Sequence, residues 1–350
     1  MEPTQRKMKI LEAVVEAYIR TGEPVGSKAL CEGLGFSVSS ATVRNDMAEL
    51  ASLGLLEQTH TSSGRIPTEL GYRMYVDKLM KAEILPKSIQ NSINDILYLS
   101  SDEPGHLLGS AAEVLSKMTG CAAVAAAPSG ENAVIRHITF VRTGAYTMMT
   151  VLVTSFGTVK TKLFRCDYLV TKELAEKIGA TINEKFAGLP VNGITPAFMQ
   201  STAASLGDVS MLMSGALVSV YDAAKEAAAA GVSIKGQSNL FLMPELASAD
   251  GKKVLELLEH SGELSKLLDA KGANASIIIG SEINNPALSG LSVIVCSYSA
   301  NENCSGTLAL IGPVRMNYPK IVSALEYTAS SVGGFLKQLI EGDVQTAESV

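Results

Sequence analysis

The chain has 350 residues, 47% hydrophobic and 18% charged, with 29 lysines and arginines against 35 acidic residues for a net charge of -6. At ~150 residues per domain this is material for two or three packed cores, and it excludes a largely disordered chain. A net negative chain is not drawn to phosphate or anionic lipid by its bulk field, so any nucleic-acid site has to be local.

Residues up to about Lys81 read as a dense run of short helices. Arg6 to Arg20 carries Ile10, Leu11, Val14, Val15, Tyr18 and Ile19 at helical spacing, and Thr21-Gly22-Glu23-Pro24 stops it. Ser27 opens a second helix that Gly33 and Gly35 end, and Ser39 or Ser40 caps a third running to Leu53-Gly54. Three short helices with tight turns predict a helix-turn-helix. Leu55 to Thr59, a turn-rich tip from His60 to Pro67 and a return strand then predict a wing, and a further helix opens at Pro67-Thr68-Glu69 and ends near Pro86.

Residues 82–104 are polar, with one weak helix over Ile89 to Leu99, and are expected to be a linker. An amphipathic helix through Leu107, Leu108, Ala111, Ala112, Leu115 and Met118 follows. Strands are expected at Ala122 to Ala127, Val134 to Arg142, Thr147 to Thr154 and Val159 to Cys166. Thr171 to Ala230 reads as helical, as does Gly251 to Leu268. Strands return at Ser276 to Ile279, Ser292 to Tyr298 and Gly306 to Ile311 before a long closing helix. The pattern predicts an α+β multidomain chain with one sheet interrupted by a helical insert, so that Thr147 to Cys166 would meet Ser276 to Ile311 across more than a hundred residues. Such pairing is slow to form and leaves apolar strands exposed meanwhile.

On the third helix Val43, Met47 and Leu50 share one face and should pack inward, which turns Ala41, Asn45, Ala48 and Ser52 outward with Thr42 and Arg44 on the flanks. A small polar face is what a major-groove helix needs: Asn pairs bidentately with adenine, Ala touches a thymine methyl, and Arg44 reaches a base or a phosphate. Arg65, after Ser62-Ser63-Gly64, is placed to present a guanidinium to the minor groove or a phosphate, with His60, Thr61 and Ser62 as extra donors. The plainer reading is a solvated polar helix beside a solvated hairpin arginine. Bulk charge does not favour DNA, since residues 1–80 hold nine lysines and arginines against ten acids. Affinity then has to come from a few placed cations and from dimerisation.

Three motifs decide between these readings: Gly22-Glu-Pro-Val-Gly-Ser-Lys28, Ser39 to Leu50, and His60 to Thr68 followed by Gly71-Tyr72-Arg73. With Asn239-Leu240-Phe241 and Gly312-Pro-Val-Arg-Met-Asn-Tyr318, they resemble the heat-inducible transcription repressor HrcA family of bacteria over nearly the whole chain. The resemblance implies a winged-helix DNA-binding domain over 1–81, a GAF-like α/β domain over 105–160 and 245–342, and a helix-rich inserted dimerising domain over 161–244. It further implies a repressor of chaperone operons that binds an inverted-repeat operator as a homodimer and is kept active by the GroEL chaperonin. Carried onto the matching motifs, the DNA-binding residues are Ser39, Ser40, Ala41, Thr42, Arg44, Asn45, His60, Thr61, Ser63, Gly64 and Arg65. The chain departs from the family pattern at Val314, commonly Thr, at Asn317, commonly Asp, and at Ile283, which splits a usual Glu-Asn pair into Glu282-Ile283-Asn284.

Catalytic and cofactor signatures are missing: no G-x-S-x-G, Walker A, H-E-x-x-H or G-x-G-x-x-G occurs, so no enzyme, cofactor or metal site is expected. Five cysteines form no C-x-x-C pair and only four histidines accompany them. Cys296 and Cys304 on adjacent strands raise redox sensing, against buried structural thiols as the plainer alternative. The longest apolar stretches, such as Cys121 to Pro128, fall short of the ~18 residues of a membrane span. The first seven residues lack a signal peptide's apolar core, so the expected location is the cytoplasm. The rival functional reading is a metabolite-gated repressor with a small ligand in the GAF-like domain.

Overall fold

The computed structural model describes residues 3–34, 39–58, 64–128, 133–207, 210–228, 231–241, 254, 258, 274–283, 285, 290–301 and 304–347. Helix α1 (Gln5–Thr21) ends where Gly22 turns to φ 71° and donates its N–H to the Tyr18 carbonyl, a left-handed cap that glycine adopts without strain. Helices α2 (Ser27–Leu34) and α3 (Ser40–Ser52) follow, with the Ser39 hydroxyl accepting from the Thr42 N–H at 3.2 Å. Strands β1 (Leu56–Glu57) and β2 (Ile66–Pro67) pair antiparallel as the base of the wing. Ile10, Leu11, Val14, Val43, Met47, Leu50 and Leu56 are buried together beneath them.

Helix α4 (Glu69–Lys78) is fixed to the wing from both sides. Thr68 Oγ1 accepts from the Gly71 N–H and donates to the Gly54 carbonyl. A Cβ on Gly71 would sit 2.1 Å from the Leu55 carbonyl oxygen, so only glycine allows this approach. The helix stops at Lys78, well before Pro86.

Helix α5 (Lys87–Tyr98) lies in the stretch expected to be a linker, yet it buries Ile93 and Leu97. Its Asn94 donates to the Tyr327 hydroxyl at 2.8 Å and accepts from Ser331 at 2.9 Å. Its apolar stripe, Ile89, Ile93 and Leu97 at every fourth residue, is narrow. It reads as weak in isolation and is satisfied only by the two helices it packs against, α6 (Pro104–Thr119) and the closing helix.

Strand β3 (Ala122–Ala126) begins a sheet that the chain then leaves. Strands β4 (Ile135–Arg142), β5 (Thr147–Thr154) and β6 (Val159–Arg165) form a separate three-stranded antiparallel sheet in that order. Helices α7 (Lys172–Phe186) and α9 (Ser210–Ala228) pack on it, with α8 (Pro196–Ser205) against α9. The chain returns through β7 (Val232–Lys235), α10 (Gln237–Phe241) and β8 (Ser276–Ile279), then a 3-10 turn at Gly280–Ile283. Strands β9 (Leu291–Asn301) and β10 (Cys304–Pro313) and helix α11 (Tyr318–Ala347) complete it.

The second sheet has five antiparallel strands in the order β7-β3-β10-β9-β8. The expected single interrupted sheet is thereby corrected. Residues 147–166 do not pair with 276–311; β3 does, through Ala126 opposite Thr307 to Ala122 opposite Ile311. The reason is local, because β4, β5 and β6 are joined by short turns and pair with one another first. Residue 160, expected as a domain limit, falls inside β6. Both faces of the five-stranded sheet are covered. Ala123, Ala125, Cys296 and Leu310 face the core shared with α6 and α11, while Ala122, Val124, Val293 and Ile311 face Leu240, Val254 and Leu258. Most of the helix expected at 251–268 lies outside the described residues.

The winged helix is docked on this sheet. Arg73 on α4 donates to Glu282 and, at 2.7 Å, to the Ile277 carbonyl; Glu69 accepts from the Ser281 N–H at 3.0 Å and hydroxyl at 2.6 Å. The Tyr72 and Tyr318 rings lie 6.0 Å apart, and both residues are buried. If α5 is part of the packed body, Leu97→Ala should cost ~2–5 kcal/mol in chemical denaturation. A linker helix would lose well under ~1 kcal/mol at this position.

Candidate nucleic-acid interface

Helix α3 presents the face its periodicity requires. Val43, Met47 and Leu50 are buried, Ala41, Asn45, Ala48 and Ser52 are exposed, Arg44 is exposed and Thr42 half-buried. One inward residue escaped the periodicity argument: Asp46 is 3% exposed, and its carboxylate receives two hydrogen bonds from Arg6, at 2.7 and 2.9 Å. A charge this deep has to be paired. The pair ties α1 to α3, and the Lys7–Glu49 ion pair does the same one turn on. The signal was present, since position 46 lies in the inward stripe of Val43 and Leu50 and its side chain is a carboxylate.

The wing is held by a third chain segment that the sequence did not reveal. Val25 and Arg65 exchange both backbone hydrogen bonds at 2.9 Å, so the loop between α1 and α2 pairs with the wing. Gly64 makes this possible, because a Cβ there would stand 2.4 Å from the Val25 carbonyl group. The Arg65 side chain, half-buried, donates to Gln58 Oε1 at 2.7 Å.

These elements enclose a groove of about 340 Å³ lined by Val25, Gly26, Ser27, Arg44, Asn45, Met47, Ala48, Gln58, Gly64 and Arg65. It brings together four of the expected residues, Arg44, Asn45, Gly64 and Arg65. Ser39, Ser40, Ala41 and Thr42 form the first turn of the same helix outside the groove, where the Ser39 and Thr42 hydroxyls lie 3.1 Å apart as hydrogen-bond partners. His60, Thr61 and Ser63 lie outside the described residues. Gly26, Ser27, Ala48 and Gln58 line the groove without having been among the expected contacts. Nothing in the sequence distinguished Gln58 from any polar wing residue. Two cations, a carboxamide at the helix centre and small side chains around them match the shape and charge of a duplex edge.

The other chemistry does not converge. Cys296 and Cys304 are buried, burial pushes both thiols up to about 11, and the register sets Leu308 opposite Cys296 and Asn301 opposite Cys304. They are therefore poor thiolates and do not face one another across the strands. His106 is solvated beside Glu103, and His260 is outside the described residues. Among the described residues no three side chains cluster as metal ligands, and no helix is long and apolar enough to cross a membrane.

The signature motifs without an assigned role turn out to build the docking joint. Tyr72 and Arg73 meet Tyr318 and Glu282, and a Cβ on Gly22 would touch the Arg315 guanidinium at 3.4 Å. Burial pushes the Glu282 carboxyl up, but its hydrogen bonds from Arg73 and the Ile279 N–H outweigh this and hold it below the ordinary 4.5. Asn239 donates to the Ser116 hydroxyl at 3.1 Å and secures β7 beside α6.

Comparison with known proteins matches both parts of this architecture. Residues 2–79 match the family model described as "Winged helix-turn-helix transcription repressor, HrcA DNA-binding", and residues 105–322 match "HrcA protein C terminal domain". The chain is 31% identical over 344 residues to the heat-inducible transcription repressor HrcA of Acetivibrio thermocellus, covering 97% of this chain and 98% of that protein. It is 32% identical over 345 residues to that of Geobacter sulfurreducens, covering 97% and 99%. A crystal structure described as a hypothetical protein superposes with a TM-score of 0.70 at 23% identity, over 97% of this chain and all of that one, which supports the fold. The groove between α3 and the wing therefore sits in a DNA-binding winged helix, and the chain belongs to the HrcA family of heat-inducible transcription repressors.

Proposed function

We propose that the chain is a negative regulator of heat-shock chaperone operons, which binds an inverted-repeat operator as a dimer and is kept in its active form by the GroEL chaperonin. The observation that carries the reading is the groove itself, where Asn45 and Arg44 on α3 stand beside Arg65 of the wing. Asn45 and Thr42 read base edges, Arg44 takes a base or a phosphate, and Arg65 anchors the wing. Footprinting with the purified protein tests it; the expected result is a protected two-fold repeat upstream of chaperone genes. Asn45→Ala should then cost ~1–3 kcal/mol per half-site and relax discrimination at one base pair, whereas Arg65→Ala should weaken all sequences alike and lower the salt slope. Equal losses on operator and random DNA for Asn45→Ala would remove it from base readout.

The body is assigned as a GAF-like unit, built on the five-stranded sheet with α6 and α11, carrying an inserted dimerising unit between β3 and β7. Supporting this, β3 and β7 are neighbours, so the chain leaves and rejoins the same sheet at adjacent strands. The excursion holds the three-stranded sheet as well as α7 to α9, which carries the insert further toward the N-terminus than helicity alone suggested. It also leaves apolar side chains in solvent: Val159 and Leu163 on β6 and Met211 and Val218 on α9 are 54%, 68%, 85% and 60% exposed. A nearly neutral winged helix needs two linked half-sites for a repressor's affinity, and a second copy covering these side chains supplies the link. Leu163→Glu and Met211→Glu, separately and together, are expected to yield a monomer by sedimentation with operator affinity down ~10²-fold. A dimer that survives both would place the interface elsewhere.

Chaperonin dependence rests on folding order. β3 cannot complete its pairing until β10, about half the chain later, is available, and its apolar run is exposed until then. A chaperonin that holds or releases such chains shifts the DNA-binding fraction by mass action. Refolding with chaperonin and ATP should raise the operator-competent fraction. A fraction indifferent to chaperonin but lowered by a small metabolite would make the metabolite-gated reading correct instead.

A further inference from the structure

The joint between α4 and the five-stranded sheet uses polar groups that DNA recognition does not. Arg73 makes three kinds of contact: Nε to Glu282 Oε1 at 2.7 Å, Nη2 to Glu282 Oε2 and to the Ile277 carbonyl at 2.7 Å, and Nη1 to Asp77 at 3.3 Å. One turn earlier on α4, Glu69 caps the Ser281 N–H and hydroxyl. Gly280, at φ 53°, admits that carboxylate to within 1.9 Å of where a Cβ would stand, so the 3-10 turn is shaped around Glu69. None of these residues lines the groove. They do not hold the core either, since Arg73 and Glu282 keep 25% and 40% of their side-chain surface in water while Tyr72 and Tyr318 pack beneath them.

What the polar joint fixes is an angle. Glu69 and Arg73 lie on one face of α4, separated by one turn, and their partners lie on β8, at the sheet edge, and on the turn that follows it. Two attachment points fix a helix against rotation and tilt, as one cannot. α4 in turn moves as one piece with the wing and α3, through Thr68, Gly54, Gly71 and Leu55. Any rotation of α4 on the sheet therefore swings the recognition helix. For a two-fold dimer that swing changes the distance and phase between the two recognition helices, and bivalent binding is lost when those do not match the half-sites.

We propose that Glu69, Arg73, Ser281 and Glu282 are positioning residues for DNA recognition: by fixing α4 on the sheet edge they set which half-site spacing the dimer accepts. This rests on the reading of a dimer on an inverted repeat. Specificity is thereby divided, with α3 and the wing reading the half-site and the joint reading the distance between half-sites.

The test uses the full chain and two kinds of duplex: one bearing a single half-site recovered by footprinting, and a series of inverted repeats stepped through about one helical turn, ~10 bp. The unsubstituted protein should bind its best spacing ~10²-fold more tightly than its worst. Glu69→Ala and Arg73→Ala, each removing one attachment, should leave single half-site affinity within about twofold and shrink the spacing preference below ~10-fold. Unchanged spacing preference in both variants overturns the proposal. So does a loss on the single half-site as large as that on the repeat, which would mean that the joint merely supports the winged helix. If the unsubstituted protein binds a repeat no better than a single half-site, the dimer reading itself fails and the proposal falls with it, an outcome distinct from the first two.

Discussion

The antiparallel pairing of β3 with β10 is the contact on which the body of the molecule depends. β3 is five small apolar residues, Ala122 to Ala126, all buried, with β10 on one side and β7 on the other. Because its neighbours come from far along the chain, everything between must leave the sheet and come back. One excursion folds upon itself as β4 to α9, and the return strands then complete the sheet around β3. Small side chains suit this central position, since helices and loops cover both faces and a larger residue would have to displace one of the layers. One edge strand of the same sheet, β8, is where the DNA-binding domain is attached.

Charge placement leaves two cations in the groove of a winged helix with no net positive charge. Arg6, Lys7 and Arg73 are engaged in ion pairs with Asp46, Glu49 and Glu282, so they orient helices. Arg44 and Arg65 are the cations among the groove-lining residues, and Arg65 is held by a hydrogen bond from its guanidinium and by its backbone pairing with Val25. Such a surface gains less from long-range attraction than a basic one and relies more on fit.

Much of the fold was legible in sequence where a single element carries its own signal. Helix α3 announced itself through Val43, Met47 and Leu50, the wing through its turn-rich tip, and the strands through runs of β-branched and small apolar residues. What escaped reading were relations between elements. Alternation in β4, β5 and β6 identifies strands but does not say which sheet they join, and here the nearest neighbours won. β7, only Val232 to Lys235, is too short to stand out beside the Ala-rich helix before it. The Val25–Arg65 bridge adds one residue to the wing and leaves no periodicity at all. Of the candidate site, Arg44, Asn45, Gly64 and Arg65 were found from residue type and position, whereas the supporting pair Arg6–Asp46 needed the observation that a carboxylate sat in an apolar stripe.

Helix α4 belongs to two units at once, and this bears on what can be called a domain here. It closes the wing through Gly71 and Thr68, yet Tyr72 is buried against Tyr318 and Arg73 is bound by residues some two hundred positions away. A fragment cut after the winged helix would carry a buried tyrosine and an arginine stripped of its Glu282 partner out into water. It would thus bear an apolar tyrosine flanked by Glu69 and by an Arg73 left with Asp77 as its ion-pair partner. An uncovered apolar patch attracts other copies of itself, so the excised piece would associate through a surface that has nothing to do with the groove.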